Sequence, residues 1–166
     1  MKPDSMTLDE LQNEYDARAD GYEQKLWFDQ HILGVARLRK QIMSKAHGNI
    51  LDVACGTGLN FPLFPPSSKI TATDLSPRML EIARQKADQL NLNVDSKVMD
   101  AQHLEFADES FDTVVSTLST CTFPDPIRAL QEMGRVCRAD GQILLLEHGR
   151  SNWGWLANYQ ESHAFG

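Results

Sequence analysis

Two glycines and two aspartates carry the first chemistry in this chain: Gly56 and Gly58 in the stretch NILDVACGTGLN (49–60), then Asp74 and Asp100. A Gly-x-Gly turn lets a ligand lie against bare backbone amides, because glycine tolerates positive φ and has no Cβ. Asp74 follows Gly58 by 16 residues, at the end of the run KITATD. A carboxylate there can accept two hydrogen bonds from the vicinal hydroxyls of a ribose. Asp100 ends the run VDSKVMD and can accept from the amino group of adenine, with Ala101 supplying an amide. Taken together these residues point to an adenosine-containing ligand. Each also has a plainer reading: a tight turn after a core strand, a strand-end cap, a solvated acid. Glu147 and His148 close the run QILLLEH, and with Cys121 they are the candidates for a catalytic or substrate contact. Cys55 and Cys137 read as small core residues.

Strands must deliver these side chains to one edge. Ile50, Leu51, Val53 and Ala54 form an apolar run of strand length that leads into the glycines. KITATD (69–74), VDSKVMD (94–100), FDTVVSTLS (111–119) and QILLLEH (142–148) are four further strands, with Asp140-Gly141 read as the turn before the last. Helices separate them. Ser76 and Pro77 open one that repeats Met79, Leu80, Ala83, Ala87 and Leu90 on a buried face. Pro124 and Pro126 open another, carrying Ile127, Leu130, Met133 and Val136. After the glycine loop, Pro62, Pro65 and Pro66 leave room for only a turn or two of helix. Upstream, residues 1–10 read as a polar leader and residues 11–47 as helical. Leu11, Tyr15, Tyr22 and Leu26 share one apolar side, and Ile32, Val35, Leu38, Ile42 and Met43 continue the period. Gly21 breaks or ends the first helix, and Gly48-Asn49 closes the second. Strand and helix in alternation predict an α/β, Rossmann-like, mostly parallel sheet with helices on both faces.

The loop argues against a dinucleotide. NAD and FAD sites need a third glycine and a long helix facing the pyrophosphate. Here that position is Phe61, followed at once by Pro62. Composition narrows the classes further. The chain has 166 residues, 23 acidic against 16 basic, and a formal net charge of −7, with no basic tract. Direct nucleic-acid binding is therefore not expected. Three widely spaced cysteines form no CxxC pair and no metal spacing with the histidines, so neither a disulfide framework nor a metal site is expected. A reducing, cytoplasmic setting fits, and no signal-peptide pattern or membrane-length apolar run is present.

The ordered set LDVACGTGLN, TATDLSPRMLEIAR, VMDAQHLEFADESFDTVVS, RALQEMGRVCRADGQILLLEHG and the leader YDARADGYE resembles the class I S-adenosylmethionine-dependent methyltransferases. It is most similar to the ubiquinone/menaquinone-type branch and its thiol- and phospholipid-methylating relatives. The resemblance covers about residues 11–150. It implies S-adenosylmethionine as cofactor. Asp52, Ala54, Gly56 and Gly58 then correspond to the loop around the methionine part, and Asp74 with Leu75 to the ribose and adenine contact. Asp100 and Ala101 correspond to the adenine edge, and Thr117 and Leu118 to a backbone contact near the methionyl amine. Tyr15 and Tyr22 stand where similar proteins close over the cofactor, although either tyrosine could serve packing alone. Two departures stand out. Many relatives have glycine in place of Ala54, a mild change if φ there is negative. Relatives often carry histidines where this chain has Cys121 and Thr122.

The resemblance also implies seven strands, and the last two are not found in this sequence. The expected organisation is one domain: an N-terminal helical lid (1–47), a cofactor-binding core (48–150) and a truncated tail (151–166) with Trp153, Trp155, Tyr159 and Phe165. The fifth strand would then be an apolar edge open to pairing, which admits a dimer through that edge. The expected function is methyl transfer to a small, apolar acceptor, with peripheral lipid contact admitted. A cofactor-binding but inactive interaction protein and a nicotinamide-dependent oxidoreductase are the rival readings.

Overall fold

The computed structural model describes residues 6–25 and 34–147. Its centre is β1 (Asn49–Val53), whose Ile50, Leu51, Asp52 and Val53 are all fully buried. Four strands extend it: β2 (Lys69–Asp74), β3 (Val94–Val98), β4 (Phe111–Thr117) and β5 (Cys137–Leu146). The order is β3-β2-β1-β4-β5, and every pair is parallel. Ile50 pairs with Ile70 on one side and Thr113 on the other, which fixes the register at the centre. The chain runs outward from β1 to β3 and then returns to the far side of β1. The strand order therefore reverses between β1 and β4, where open α/β sheets bind ligands beyond the carboxyl ends of their strands.

Alternate residues of β1 and β4 feed two cores. Ile50 and Val115 pack with Met43, Phe61 and Leu80 on one face. Leu51, Val53 and Val114 pack with Phe111 and Met133 on the other. Period-two alternation on a two-sided sheet requires this split. β3 is an edge strand, and only its alternate residues are partly covered, so its sequence VDSKV is the most polar of the five.

The helices follow the expected starts more closely than the expected faces. α1 (Leu8–Arg18) begins three residues earlier than the sequence suggested, because Thr7 and Glu10 form a capping box. A single 3-10 turn, Ala19–Gly21, follows it, and residues 22–25 are helical again. α2 (Val35–Met43) stops well short of Gly48, and it buries Arg39 beside Met43 while Leu38 is 48% exposed. α3 (Pro77–Gln89) is capped by Ser76, whose hydroxyl accepts the Met79 amide. Met79, Leu80, Ala83 and Ala87 are buried as expected, but Leu90 lies exposed past the last turn. α4 (Pro126–Val136) is capped by Asp125 and buries Ala129, Glu132, Met133 and Val136. Ile127 and Leu130, expected inside, are exposed. Leu26 and Ile32 lie outside the described residues.

Two strand boundaries also differ from expectation. β3 ends at Val98, so Asp100 sits two residues beyond it. β5 begins at Cys137 rather than Gln142. Phe111 pairs with Cys137, yet Thr113 pairs with Gln142, so extra residues bulge out around Asp140-Gly141 instead of forming a turn between elements. Gly141 is required there: a Cβ would stand 2.8 Å from the Asp112 carbonyl oxygen.

Candidate cofactor pocket

The carboxyl ends of β1 to β4 open into one pocket. Ala54 and Gly56 line it after β1, Asp74 and Leu75 after β2, Met99, Asp100 and Ala101 after β3, and Thr117 and Leu118 after β4. Tyr15 and Tyr22 reach it from the N-terminal segment. Ten of the expected contacts thus converge on one cavity. Leu11, Met79, Ser119, Thr122, Phe123 and Pro124 complete it.

Asp74 is the site's main carboxylate. The Gly56 amide donates to its Oδ2 at 2.8 Å and the Ser76 amide to its Oδ1 at 2.9 Å. Burial pushes its pKa up to about 6 despite these amides, and Asp16 adds repulsion. Each carboxylate oxygen has further acceptor capacity, so the group can take hydroxyl donors from a ligand. Asp100 is held by its own turn: Gln102 donates its amide to Oδ1 at 2.9 Å and its Nε2 to both oxygens at 3.1 Å.

Asp52 and Gly58 do not line the pocket. Asp52 lies fully buried behind it, accepting from Asn60 Nδ2 at 2.9 and 3.1 Å. Burial raises its pKa to about 7, opposed by Asn60 and by Arg39. Gly58 serves the turn: its φ is +77°, and a Cβ would come within 2.6 Å of the Phe61 ring. Phe61 is thereby seated on the loop at the position a dinucleotide site reserves for glycine.

Backbone strain gathers at the pocket. Ala54 and Leu118 have φ of 53° and 55°. The exchange of glycine for alanine at 54 is therefore not mild: the left-handed region costs an L-residue roughly 1–2 kcal/mol. The Leu118 amide donates to Leu146 O at 2.7 Å, tying that turn to the end of β5.

The N-terminal segment is fastened over the pocket by carboxylates. Asp16 accepts from the Ser76 hydroxyl and from the Arg78 amide at 3.1 Å, adding a second cap to α3. Asp20 pairs with Arg78 at 2.7 Å. Glu23 accepts from Thr57 Oγ1 at 2.7 Å and pairs with Lys86. These contacts seat Tyr15 and Tyr22. Burial pushes the Tyr15 phenol up to about 12, although a hydrogen bond with Thr122 opposes the rise. Burial also raises Tyr22, whose Cε1 lies 3.8 Å from where a Cβ on Gly56 would stand.

The catalytic candidates are placed differently from one another. Glu147 lies outside the pocket lining, and its Oε1 accepts the Ser119 and Thr120 amides, both at 3.2 Å. Cys121 is exposed, with its thiol raised by partial desolvation and by Glu147. His148 and the aromatic tail lie outside the described residues. Sequence reasoning missed Arg39 and Asn60. Asn60 closes the glycine stretch, but nothing in a helical period marks an arginine for burial. Among the described residues there is no cluster of metal-ligating side chains, and no helix is long and apolar enough to cross a membrane.

Residues 51–145, more than half of the chain, match the family model described as a methyltransferase domain. The chain belongs to the class I S-adenosylmethionine-dependent methyltransferases. It is 38% identical over 119 residues to a phosphatidylethanolamine N-methyltransferase of Cereibacter sphaeroides, a match covering 70% of this chain and 59% of that protein. It is 34% identical to the ubiquinone/menaquinone biosynthesis C-methyltransferase UbiE of Bdellovibrio bacteriovorus, covering 78% of this chain and 57% of that one. The chain therefore spans less than two thirds of these relatives' lengths. The solved YcgJ protein of Bacillus subtilis superposes with a TM-score of 0.64 at 26% identity, over 78% of this chain and 56% of that one. The two curated relatives methylate different kinds of atom by name, nitrogen and carbon, so the family does not specify the acceptor. The pocket fits the family cofactor: it offers a half-buried carboxylate able to accept from ribose hydroxyls and a low-profile backbone loop at Ala54 and Gly56.

Proposed function

We propose that this chain binds S-adenosylmethionine in the pocket and transfers its methyl group to a small, apolar acceptor. The observation that carries this reading is Asp74. It is a carboxylate at the end of β2, held by the Gly56 and Ser76 amides, facing a cavity that the glycine loop also lines. Asp74 and Leu75 are assigned to the ribose, Asp100 and Ala101 to the adenine edge, and Ala54, Gly56, Thr117 and Leu118 to the methionine part. Tyr15 and Tyr22 close the near side.

When bound, the cofactor supplies a sulfonium-activated methyl group. The residues of this chain align and shield it. Tyr15, pushed up to about 12, remains a protonated phenol and serves as a hydrogen-bonding wall. Leu11, Phe123 and Pro124 give the pocket apolar walls, which favours an apolar acceptor. Glu147, held by the Ser119 and Thr120 amides just outside the pocket lining, is the described residue we assign to take a proton from an acceptor that must lose one.

We place this activity in the cytoplasm, on a small-molecule acceptor and without nucleic acid. Peripheral contact with lipid and pairing of two copies along β5 belong to the same reading. The test is turnover of S-adenosylmethionine to S-adenosylhomocysteine against thiols, quinol precursors and lipid amines. Product formation with one class supports the reading. Cofactor binding without turnover on any class points instead to an inactive binding protein.

A further inference from the structure

Beneath the pocket lies a buried polar network that the cofactor assignment leaves unexplained. Arg39 of α2 is only 4% exposed. Its Nη1 donates to Asn60 Oδ1 and to Thr117 Oγ1, both at 2.6 Å. Asn60 Nδ2 lies 2.9 and 3.1 Å from the two Asp52 oxygens, which share one of its hydrogens, and its other hydrogen serves Thr117 Oγ1 at 3.3 Å. The orientation of the Asn60 amide is forced. A guanidinium only donates, so the Asn60 atom facing it is the oxygen, which turns the Asn60 nitrogen toward Asp52.

The consequence falls on Thr117. A hydroxyl has two acceptor sites and one hydrogen. Arg39 and Asn60 fill both acceptor sites, so the hydrogen is free to be given away. Among the described residues no group accepts it, and Thr117 is a pocket-lining residue. Among the described residues the buried guanidinium Nε also has no partner. Burying an arginine is costly, and an apolar side chain would cover the same surface at less expense. A network built only to hold the fold would not leave two donors unspent.

We propose that Arg39 and Asn60 are positioning residues that hold the Thr117 hydroxyl as a hydrogen-bond donor toward an acceptor atom of the bound ligand. Arg39 acts through Thr117 and couples α2 to the end of β4. This inference rests on reading the pocket as the S-adenosylmethionine site.

The test is a double-mutant cycle on S-adenosylhomocysteine affinity, measured by calorimetry. Arg39→Met in the native background leaves the Asp52 charge buried without its cation, so the cycle is run with Asp52→Asn present throughout. In that background Thr117→Val is expected to weaken binding about tenfold, the loss of one hydrogen bond. Arg39→Met is expected to weaken it by a similar factor. The double variant is expected to lose about tenfold in total rather than about a hundredfold, because both changes remove the same bond. Thr117→Ser, which keeps the hydroxyl, should retain most of the affinity of the Asp52→Asn background. Independent losses that multiply would overturn the proposal, as would an affinity in Thr117→Val equal to that of the Asp52→Asn background. If the wild-type protein binds no S-adenosylhomocysteine, the reading of the pocket fails and this inference fails with it. Binding by wild type with a multiplicative cycle removes this inference alone.

Discussion

Asp74 makes ligand affinity depend on pH in a way that can be worked out from its surroundings. Burial raises its pKa to about 6 in the free protein, with the Gly56 and Ser76 amides pulling the other way. Ribose hydroxyls donating to the carboxylate favour its ionised form, so the group must lose its proton to bind. Below about pH 6 each unit then costs about tenfold in affinity, and above it the affinity is flat. Between pH 7 and pH 5 the expected loss of S-adenosylhomocysteine affinity is about tenfold. Calorimetry in buffers of different ionisation enthalpy should show close to one proton released at pH 5 and about a tenth of that at pH 7. Asp52 is also raised, to about 7, but it stands behind the pocket, so Asp74→Asn separates the two. That variant should bind more weakly and lose the dependence. An affinity that is level from pH 5 to pH 7 in the wild type, or an unchanged slope in Asp74→Asn, would refute the reasoning.

Two further outcomes concern stability. Ala54→Gly should relieve about 1–2 kcal/mol of left-handed strain; the freer unfolded chain and a lost half-buried methyl offset about 1 kcal/mol of it. The melting temperature should rise by about 1–2 °C, and a clear fall would show that φ at 54 is not strained in solution. Glu132 is 5% exposed, accepts the Leu104 amide at 2.9 Å and pairs with Arg135 at 2.8 Å. These partners, Arg135 foremost, lower its pKa to about 2. Because the folded value is depressed, its contribution is complete above the unfolded value near 4.5 and is lost as pH falls toward about 2. Glu132→Gln should cost about 2 kcal/mol at pH 7 and only about 0.4 kcal/mol at pH 2, where the native carboxylate is half protonated, in denaturant titrations. An equal cost at both values would mean that the charge is immaterial.

The sheet was legible because β1 is an apolar run that leads into glycines and β4 has an apolar centre at Val114 and Val115, and β2 matches its expected span residue for residue. The pocket was legible for the same reason: strand ends in an alternating α/β chain must meet at one edge. Faces of helices were harder. Ile127, Leu130 and Leu90 continue an apolar period, yet only part of each stripe meets the sheet. Arg39 was invisible, since its burial depends on Asn60 and Thr117, which are 21 and 78 positions away. The bulge in β5 was read as a turn because Asp-Gly signals one locally, while the pairing of Cys137 with Phe111 is decided by a distant strand. Positive φ at Ala54 could not be read at all from an alanine.

The central claim is that the pocket at the ends of β1 to β4 holds S-adenosylmethionine with its ribose on Asp74. A crystal structure with S-adenosylhomocysteine tests it most directly. The expected density places both ribose hydroxyls within hydrogen-bond distance of the Asp74 carboxylate, with the methionine part against Ala54 and Gly56. A ligand bound elsewhere, or in this pocket with Asp74 untouched, would contradict it.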